Sequence, residues 1–242
     1  LGGDLGEAIP LLHVSTDFVF DGQADRPYRE EDAPHPLGVY ARSKRAGEEE
    51  VQAASGEAWI VRTGGLYGHH GPSFFRSILS RAARGGPLRV VQDQWTSPTW
   101  ARDLARQLLA IVEDAPPGVY HATAHGRTTW FEAARRALEI AGLDDTRIEP
   151  ISTSEHGAPA PRPLRPLLEN AALQRLGLDR MRRVFPAALH NAARIASPAI
   201  VHGEANLRPE AHRQWRGGPG GPWVGLPAGP DQPGATLARA VR

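Results

Sequence analysis

The chain has 242 residues, which is long enough to bury a sizeable core and suits one α/β domain, alone or with a small second lobe. Its 28 basic and 27 acidic residues give a formal net charge of +1 without a basic run, which excludes nucleic acid as an expected partner. Cysteine is absent and no apolar run reaches membrane-spanning length, which excludes a disulfide framework, a thiolate metal site and a transmembrane helix and leads us to expect a cytoplasmic protein.

Two short apolar runs predict neighbouring strands of a parallel sheet. The first covers residues 9–14 and leads into Thr16, and the second covers residues 59–61. Residues 36–54 predict a loop followed by a helix, so the unit is a strand, a crossover helix and a second strand. Because parallel strands deliver their carboxyl ends to one sheet edge, we expect Thr16 and Tyr40 to lie near the same edge.

Further elements follow along the chain. Short strands are predicted at residues 88–91, 119–121 and 148–151. A helix is predicted from apolar residues at helical spacing, with a buried face of Ala101, Leu104, Ala105, Leu108 and Val112. Thr129 and Glu132 have the spacing of a capping box, ahead of a helix whose inner face is predicted to carry Phe131, Ala134, Leu138 and Ala141.

The predicted domain organisation has three parts. Residues 1–121 are assigned to a main α/β domain, to which residues 66–98 add part of a smaller lobe. Residues 122–195 are assigned to the smaller lobe itself. Residues 200–242 are rich in glycine and proline, a composition that buries too little apolar area to offset chain entropy, so we expect a disordered tail.

Lys44 is the only lysine in the chain and follows Tyr40 by four residues. In a helix this spacing puts both side chains on one face. An ammonium group beside a phenol stabilises the phenolate, so such a tyrosine can act as a proton donor. An ordinary surface pair is the alternative interpretation of the same spacing.

Several segments together carry a family resemblance. They are residues 13–22, with Ser15-Thr16-Asp17-Phe18; the Tyr40xxxLys44 pair; residues 62–68; residues 93–105; and residues 162–177. In order and spacing they are similar to the extended short-chain dehydrogenase/reductase family, and within it to the dTDP-4-dehydrorhamnose reductases. The resemblance covers about residues 9–190.

The resemblance implies an α/β fold with a Rossmann-type parallel sheet, of which only the C-terminal part is expected here, and a small substrate-binding lobe. It makes residues 1–121 a partial NAD(P)-binding domain without its glycine-rich first half, and residues 122–195 the substrate-binding lobe, to which residues 66–98 contribute. It implies reduction of a nucleotide-linked 4-keto-6-deoxysugar by NADPH or NADH, with dTDP-4-dehydro-L-rhamnose as the expected substrate. The implied catalytic residues are Thr16, Tyr40 and Lys44. The residues implied to bind cofactor are Tyr40, Lys44, Arg62, Thr63 and Gly64.

The residues expected to contact the substrate are Thr16, Asp17, Phe18, Gln94 and Trp95. Related 4,6-dehydratases carry an acid where Phe18 stands, so elimination of water is disfavoured. Trp95 stands in a segment that departs from the family pattern, and we hypothesise that it supplies an aromatic wall for the sugar. For Asp17, a local capping role is an equal alternative.

Two other interpretations of the function remain open. One is a non-catalytic regulatory or binding subunit on the same scaffold, and the other is a different sugar-nucleotide reductase or epimerase. The glycine-rich strand, turn and helix that hold a cofactor pyrophosphate are missing before Ile9, so we expect the chain to be a fragment that lacks about 90 upstream residues. A homodimer is compatible with the resemblance. The histidines lack metal-ligand spacing, so no metal site is expected.

Overall fold

The structure is a computed structural model that describes residues 11–54 and 57–184. These residues lie in one compact unit. The expected division at residue 121 remains a prediction, and the expected disordered tail at 200–242 lies outside the described residues. In the described ranges, no helix combines the length and apolar character needed to cross a membrane.

The described chain alternates between strands and helices. The strands are β1 (Leu11–Thr16), β2 (Ala58–Thr63), β3 (Leu66–Tyr67), β4 (Leu88–Val91), β5 (Trp95–Thr96), β6 (Thr99–Trp100), β7 (Gly118–His121), β8 (Thr128–Thr129) and β9 (Ile148–Ile151). The helices are α1 (Val39–Ala54), α2 (Phe74–Ala83), α3 (Ala101–Asp114), α4 (Trp130–Ile140), α5 (Thr153–His156) and α6 (Ala171–Arg175).

The main sheet is parallel and has the order β1-β2-β7. Thr16 on β1 is in register with Thr63 on β2, and Arg62 on β2 is in register with His121 on β7. Every residue of β2 is buried, as expected for a central parallel strand. The Rossmann-type α/β fold and its predicted strand pairing are confirmed, and the carboxyl ends of β1 and β2 meet at one edge.

Helix α1 connects β1 to β2 and carries Tyr40 and Lys44. Of its residues, only Ala41 and Glu48 are buried. Apolar packing therefore contributes little to holding this helix on the sheet, and the buried carboxylate takes a larger part in fixing it.

A second layer forms around helices α2 and α4 and the parallel pair β4 and β9. The capping box at Thr129 and Glu132 is present, as predicted. The fully buried positions of α4 are Ala133, Ala134, Ala137 and Leu138, with Phe131 and Ala141 packed at the margin. The predicted inner face was therefore correct for Ala134 and Leu138, whereas Phe131 and Ala141 are only partly buried.

The predicted buried face of α3 was wrong in part. Leu104 is buried, but Ala101, Ala105 and Val112 are exposed. The buried face instead includes Gln107, whose side chain donates to the Leu178 carbonyl at 3.0 Å and accepts from the Arg180 backbone at 2.8 Å. A polar residue is buried there because both of its hydrogen-bonding groups have partners, which apolar periodicity cannot reveal.

Candidate active site

A pocket of about 280 Å³ opens at the carboxyl ends of β1 and β2. Its lining includes the predicted residues Thr16, Asp17, Phe18, Tyr40, Thr63, Gly64, Gln94 and Trp95. The pocket therefore brings together residues from β1, α1, β2 and the segment before α3. Lys44 and Arg62, which were predicted for the same site, do not line it.

Thr16 and Asp17 form a local hydrogen-bonded unit at the end of β1. The Thr16 hydroxyl accepts from the Phe18 backbone at 3.2 Å and so caps a single 3₁₀ turn over Asp17–Val19. The same hydroxyl donates to Asp17 Oδ1 at 3.1 Å. The capping role that was considered for Asp17 is therefore filled by Thr16, which also lines the pocket.

Asp17 is a buried carboxyl group packed against a glycine. It is 7% exposed, and a Cβ added to Gly64 would overlap its carboxyl group. Burial raises the pKa of Asp17 to about 7, against the lowering effect of the hydrogen bond from Thr16. Near neutral pH the site therefore holds a carboxyl group that exchanges a proton easily.

This pKa predicts a pH dependence of stability. The folded pKa of about 7 lies above the ordinary aspartate pKa of 3.8, so the folded state binds the extra proton between these pH values. The stabilisation is complete below about pH 4 and is lost as the pH rises through 7. We expect Asp17→Asn to gain stability relative to wild type over this range, by up to about 4 kcal/mol.

Urea unfolding of both proteins at several pH values measures the difference. Asp144→Asn, at an exposed loop carboxylate, is the matched control and should show no such trend. A wild-type-to-variant difference that stays constant with pH would contradict the raised pKa.

Tyr40 lies in the first turn of α1 and is 56% exposed. Its ring meets the Phe18 ring edge-on, with centroids 6.3 Å apart. Within the described part of the chain its hydroxyl has no hydrogen-bond partner, so the phenol is free to meet a ligand in the pocket.

Lys44 lies one turn further along α1, on the side of β1. Its ammonium donates to the Val14 carbonyl at 2.7 Å and lies 3.4 Å from His13 Nε2. Burial and the Lys44 charge lower the pKa of His13. Since an ammonium has three donors, at least one remains for a further partner.

The Arg62 side chain does not line the pocket, and its predicted role in cofactor binding stays a prediction. Its side chain is in the core, 2% exposed, and donates to Glu48 from Nε at 2.9 Å and from Nη2 at 2.7 Å. Successive side chains of a strand point to opposite faces of the sheet. Arg62 therefore faces α1, whereas its neighbour Thr63 lines the pocket. The guanidinium therefore holds α1 through Glu48.

The far wall of the pocket is aromatic and includes a residue that the sequence analysis did not single out. Trp95 on β5 and Trp130 at the start of α4 both line it. Gln94, beside them, donates from Nε2 to Thr153 Oγ1 at 3.0 Å. The capping box at Thr129 places Trp130 at the first helical position and could have pointed to it.

Comparison with known proteins gives one family match and many relatives. Residues 6–195 match the model of the RmlD substrate binding domain. A dTDP-4-dehydrorhamnose reductase of Mycobacterium tuberculosis is 42% identical over 195 residues, covering 78% of this chain and 63% of that protein. The spore coat polysaccharide biosynthesis protein SpsK of Bacillus subtilis is 39% identical over 167 residues, covering 69% of this chain and 58% of that protein.

Solved structures agree with these relatives. A dTDP-4-dehydrorhamnose reductase from Clostridium acetobutylicum superposes with a TM-score of 0.71 at 32% identity, covering 76% of this chain and 64% of that one. The Bacillus anthracis enzyme, solved in complex with NADP, gives a TM-score of 0.71 at 31% identity with the same coverage. This chain thus spans 58% to 64% of the length of the first three curated relatives.

Proposed function

We propose that this chain, which belongs to the family of the RmlD substrate binding domain, serves in the NAD(P)H-dependent reduction of a dTDP-linked 4-keto-6-deoxysugar. The expected conversion is dTDP-4-dehydro-L-rhamnose to dTDP-L-rhamnose. The observation that carries the proposal is the meeting of Thr16, Tyr40 and Gly64 around one pocket at the sheet edge. The names of relatives such as the Streptomyces niveus dTDP-4-keto-6-deoxy-D-glucose reductase, 38% identical, support the substrate class.

The described residues fit the nicotinamide end of the cofactor. Thr63 and Gly64 line the pocket together with Tyr40. Because both are small, the nicotinamide ring can approach the backbone there. The free donor of Lys44 suits a ribose hydroxyl. When bound, the reduced nicotinamide supplies the hydride.

The chain's own groups would handle the proton. As the carbonyl carbon gains a hydride, its oxygen becomes negative and needs a donor. Tyr40 gives its phenolic proton to that oxygen, which yields the alcohol and leaves a phenolate that the Lys44 charge stabilises until solvent returns the proton.

Thr16 would hold the same carbonyl oxygen before the transfer. Its hydroxyl proton is directed at Asp17 in the structure. When Asp17 is neutral, its carboxyl can donate to the Thr16 oxygen instead, and the Thr16 proton is then free for the substrate. Asp17 therefore acts as a positioning residue in this scheme.

The test is loss of NADPH absorbance on addition of dTDP-4-dehydro-L-rhamnose, with formation of an equal amount of reduced sugar. Thr16→Val should lower the rate by about 10²-fold, because one donor to the developing oxyanion is removed. Thr146→Val, at a loop position away from the pocket, is the matched control and should keep the wild-type rate.

The alternatives give different results in the same experiment. A binding subunit would bind the dTDP sugar without consuming NADPH. An epimerase would exchange sugar protons with deuterated solvent, also without net NADPH consumption. Either result would overturn the proposed reduction.

A further inference from the structure

We propose that His13 is a positioning residue: its imidazole accepts a hydrogen bond from Lys44 and so fixes the direction of that ammonium group. His13 is on β1, outside the helix that carries Tyr40 and Lys44. The inference deepens the proposed function, on which the effect of His13 on the reaction rate depends. The contact with Lys44 itself is tested without turnover.

The Lys44 ammonium meets two acceptors on β1. It donates to the Val14 carbonyl at 2.7 Å, and its Nζ lies 3.4 Å from His13 Nε2. The second distance is at the long end of hydrogen bonding, so the carbonyl is the closer acceptor. Because an ammonium can only donate, the Nε2 lone pair has to face it and the imidazole proton has to be on Nδ1. The contact therefore requires the neutral form of His13 in one tautomer.

A second acceptor restricts the ammonium group more than one acceptor can. Lysine has a flexible four-carbon stem and three rotatable donors, so a single hydrogen bond leaves the other two donors free to turn. Once two N–H groups point at Val14 and His13, the tetrahedral nitrogen fixes the direction of the third. That third donor is the one that the proposed function gives to a cofactor ribose hydroxyl.

The His13 ring lies against the backbone of α1. A Cβ added to Gly47 would be 3.7 Å from both Cε1 and Nε2 of the ring, which is ordinary van der Waals contact. Gly47 follows Lys44 by three residues, so the two positions share one face of the helix. The edge of the ring that carries Nε2 is therefore packed on the same helix that carries its partner.

The charges around His13 favour its neutral form. Burial and the Lys44 charge lower its pKa from the ordinary value of 6.5, against a smaller raising effect of Glu48. Glu48 is itself bound to Arg62. The residue in register with His13 on β2 is Ile60, which is apolar, and β1 holds no other titratable side chain. At neutral pH His13 is therefore mainly uncharged, as the contact with Lys44 requires.

Protonation of His13 would break the contact. The charged ring has no lone pair on Nε2 and repels a second cation 3.4 Å away. We expect Lys44 to be held at about pH 8 and released as the pH falls below the ordinary histidine pKa of 6.5. Asp17 titrates nearby, with a pKa of about 7, so wild type and variants are compared at the same pH.

The experiment measures how fast Lys44 of the full chain is acylated by acetic anhydride. Lys44 is the only lysine, so acylated lysine reports this residue alone, and peptide mass spectrometry separates it from the N-terminal amine. His13→Leu should speed acylation about fivefold at pH 8, because the amine no longer has to leave a second acceptor. His13→Gln provides an uncharged amide oxygen as acceptor and should react like wild type.

His156→Leu is the matched control. His156 is an exposed histidine at the end of α5, and its replacement should leave the acylation of Lys44 unchanged. Thermal unfolding establishes that each variant is folded before it is labelled.

Two further measurements separate hydrogen bonding from packing. Below about pH 6 wild type should be acylated faster than His13→Gln at the same pH, whereas at about pH 8 the two should agree. NMR of the imidazole nitrogens should show the tautomer with the proton on Nδ1 at pH 8, with the His13 signals identified by their loss in His13→Gln.

The effect on the reaction is expected in kcat. His13→Leu should lower kcat for NADPH oxidation about tenfold, since a misdirected Lys44 supports Tyr40 less well. The KM for the sugar nucleotide should not change, because neither His13 nor Lys44 lines the pocket. His13→Gln should keep the wild-type kcat at pH 8.

Equal acylation rates in wild type and His13→Leu would overturn the inference. So would a His13→Gln protein that behaves like His13→Leu, because the ring would then serve only in packing. Faster acylation with a wild-type kcat in His13→Leu refutes the positioning role and keeps the proposed function. Faster acylation in a protein that oxidises no NADPH confirms the contact with Lys44 and refutes the proposed function.

Discussion

Replacing Tyr40 by phenylalanine is expected to lower the rate of NADPH oxidation by about 10³-fold, because the phenol is the proposed proton donor to the substrate oxygen. The ring itself remains, and with it the edge-on contact with Phe18. Since Tyr40 is 56% exposed and its hydroxyl has no partner in the described ranges, stability should not change. The measurement is the single-turnover rate at saturating sugar nucleotide.

Tyr67→Phe is the matched control for this substitution. The Tyr67 hydroxyl is buried and has no hydrogen-bond partner among the described residues, and Tyr67 lies outside the catalytic pocket. Its removal should leave the rate unchanged and cost no stability. A Tyr40→Phe protein that keeps the wild-type rate would show that the proton comes from another group.

Replacing Glu48 by glutamine is expected to lower the free energy of unfolding by about 3–5 kcal/mol. Glu48 is fully buried and accepts hydrogen bonds from Arg62 and, at 3.0 Å, from Arg45. Burial alone would raise the pKa of Glu48, but the hydrogen bonds and charge of Arg62 outweigh it and lower the pKa. Glutamine removes the charge and leaves the Arg62 guanidinium buried without a counterion.

The neighbouring Glu49 offers a matched control. It pairs with Arg45 at 2.9 Å but its side chain is 59% exposed, so Glu49→Gln should cost less than about 0.5 kcal/mol. A double change of Glu48 and Arg62 to methionine should recover most of the loss, because no unpaired buried charge remains. Urea unfolding measures all three, and equal losses for Glu48→Gln and Glu49→Gln would refute the role assigned to the buried pair.

Loss of the Glu48–Arg62 ion pair is also expected to affect catalysis. Helix α1 buries only Ala41 besides Glu48, so the ion pair is the main polar attachment of the helix that carries Tyr40 and Lys44. A variant that still folds should therefore lose catalytic rate more than substrate affinity, because the position of Tyr40 is what the attachment controls.

The local patterns were sufficient to predict β1, β2, β4, β7 and β9, and the family resemblance supplied most of the residues that were predicted for the site. Apolar runs that end in polar residues indicated β1 and β2, and the rule that parallel strands share an edge brought Thr16 and Tyr40 together. The capping box at Thr129 was recognisable because its two partners are three residues apart. Each of these signals depends on residues that are close in the chain or on a fixed rule of topology.

The sequence by itself therefore determined the fold class, about half of the residues that line the pocket and the chemistry that they suggest. Only the tertiary structure decided that Arg62 pairs with Glu48 in the core, that Gln107 is a buried residue of α3, and that Trp130 lines the pocket beside Trp95. The physical reason is that these contacts join side chains far apart in the chain, and their partners are chosen by burial and by the need to satisfy polar groups. Periodicity indicates which side of a helix or strand is apolar. It does not indicate which distant residue will pair with a polar or charged side chain that is buried there.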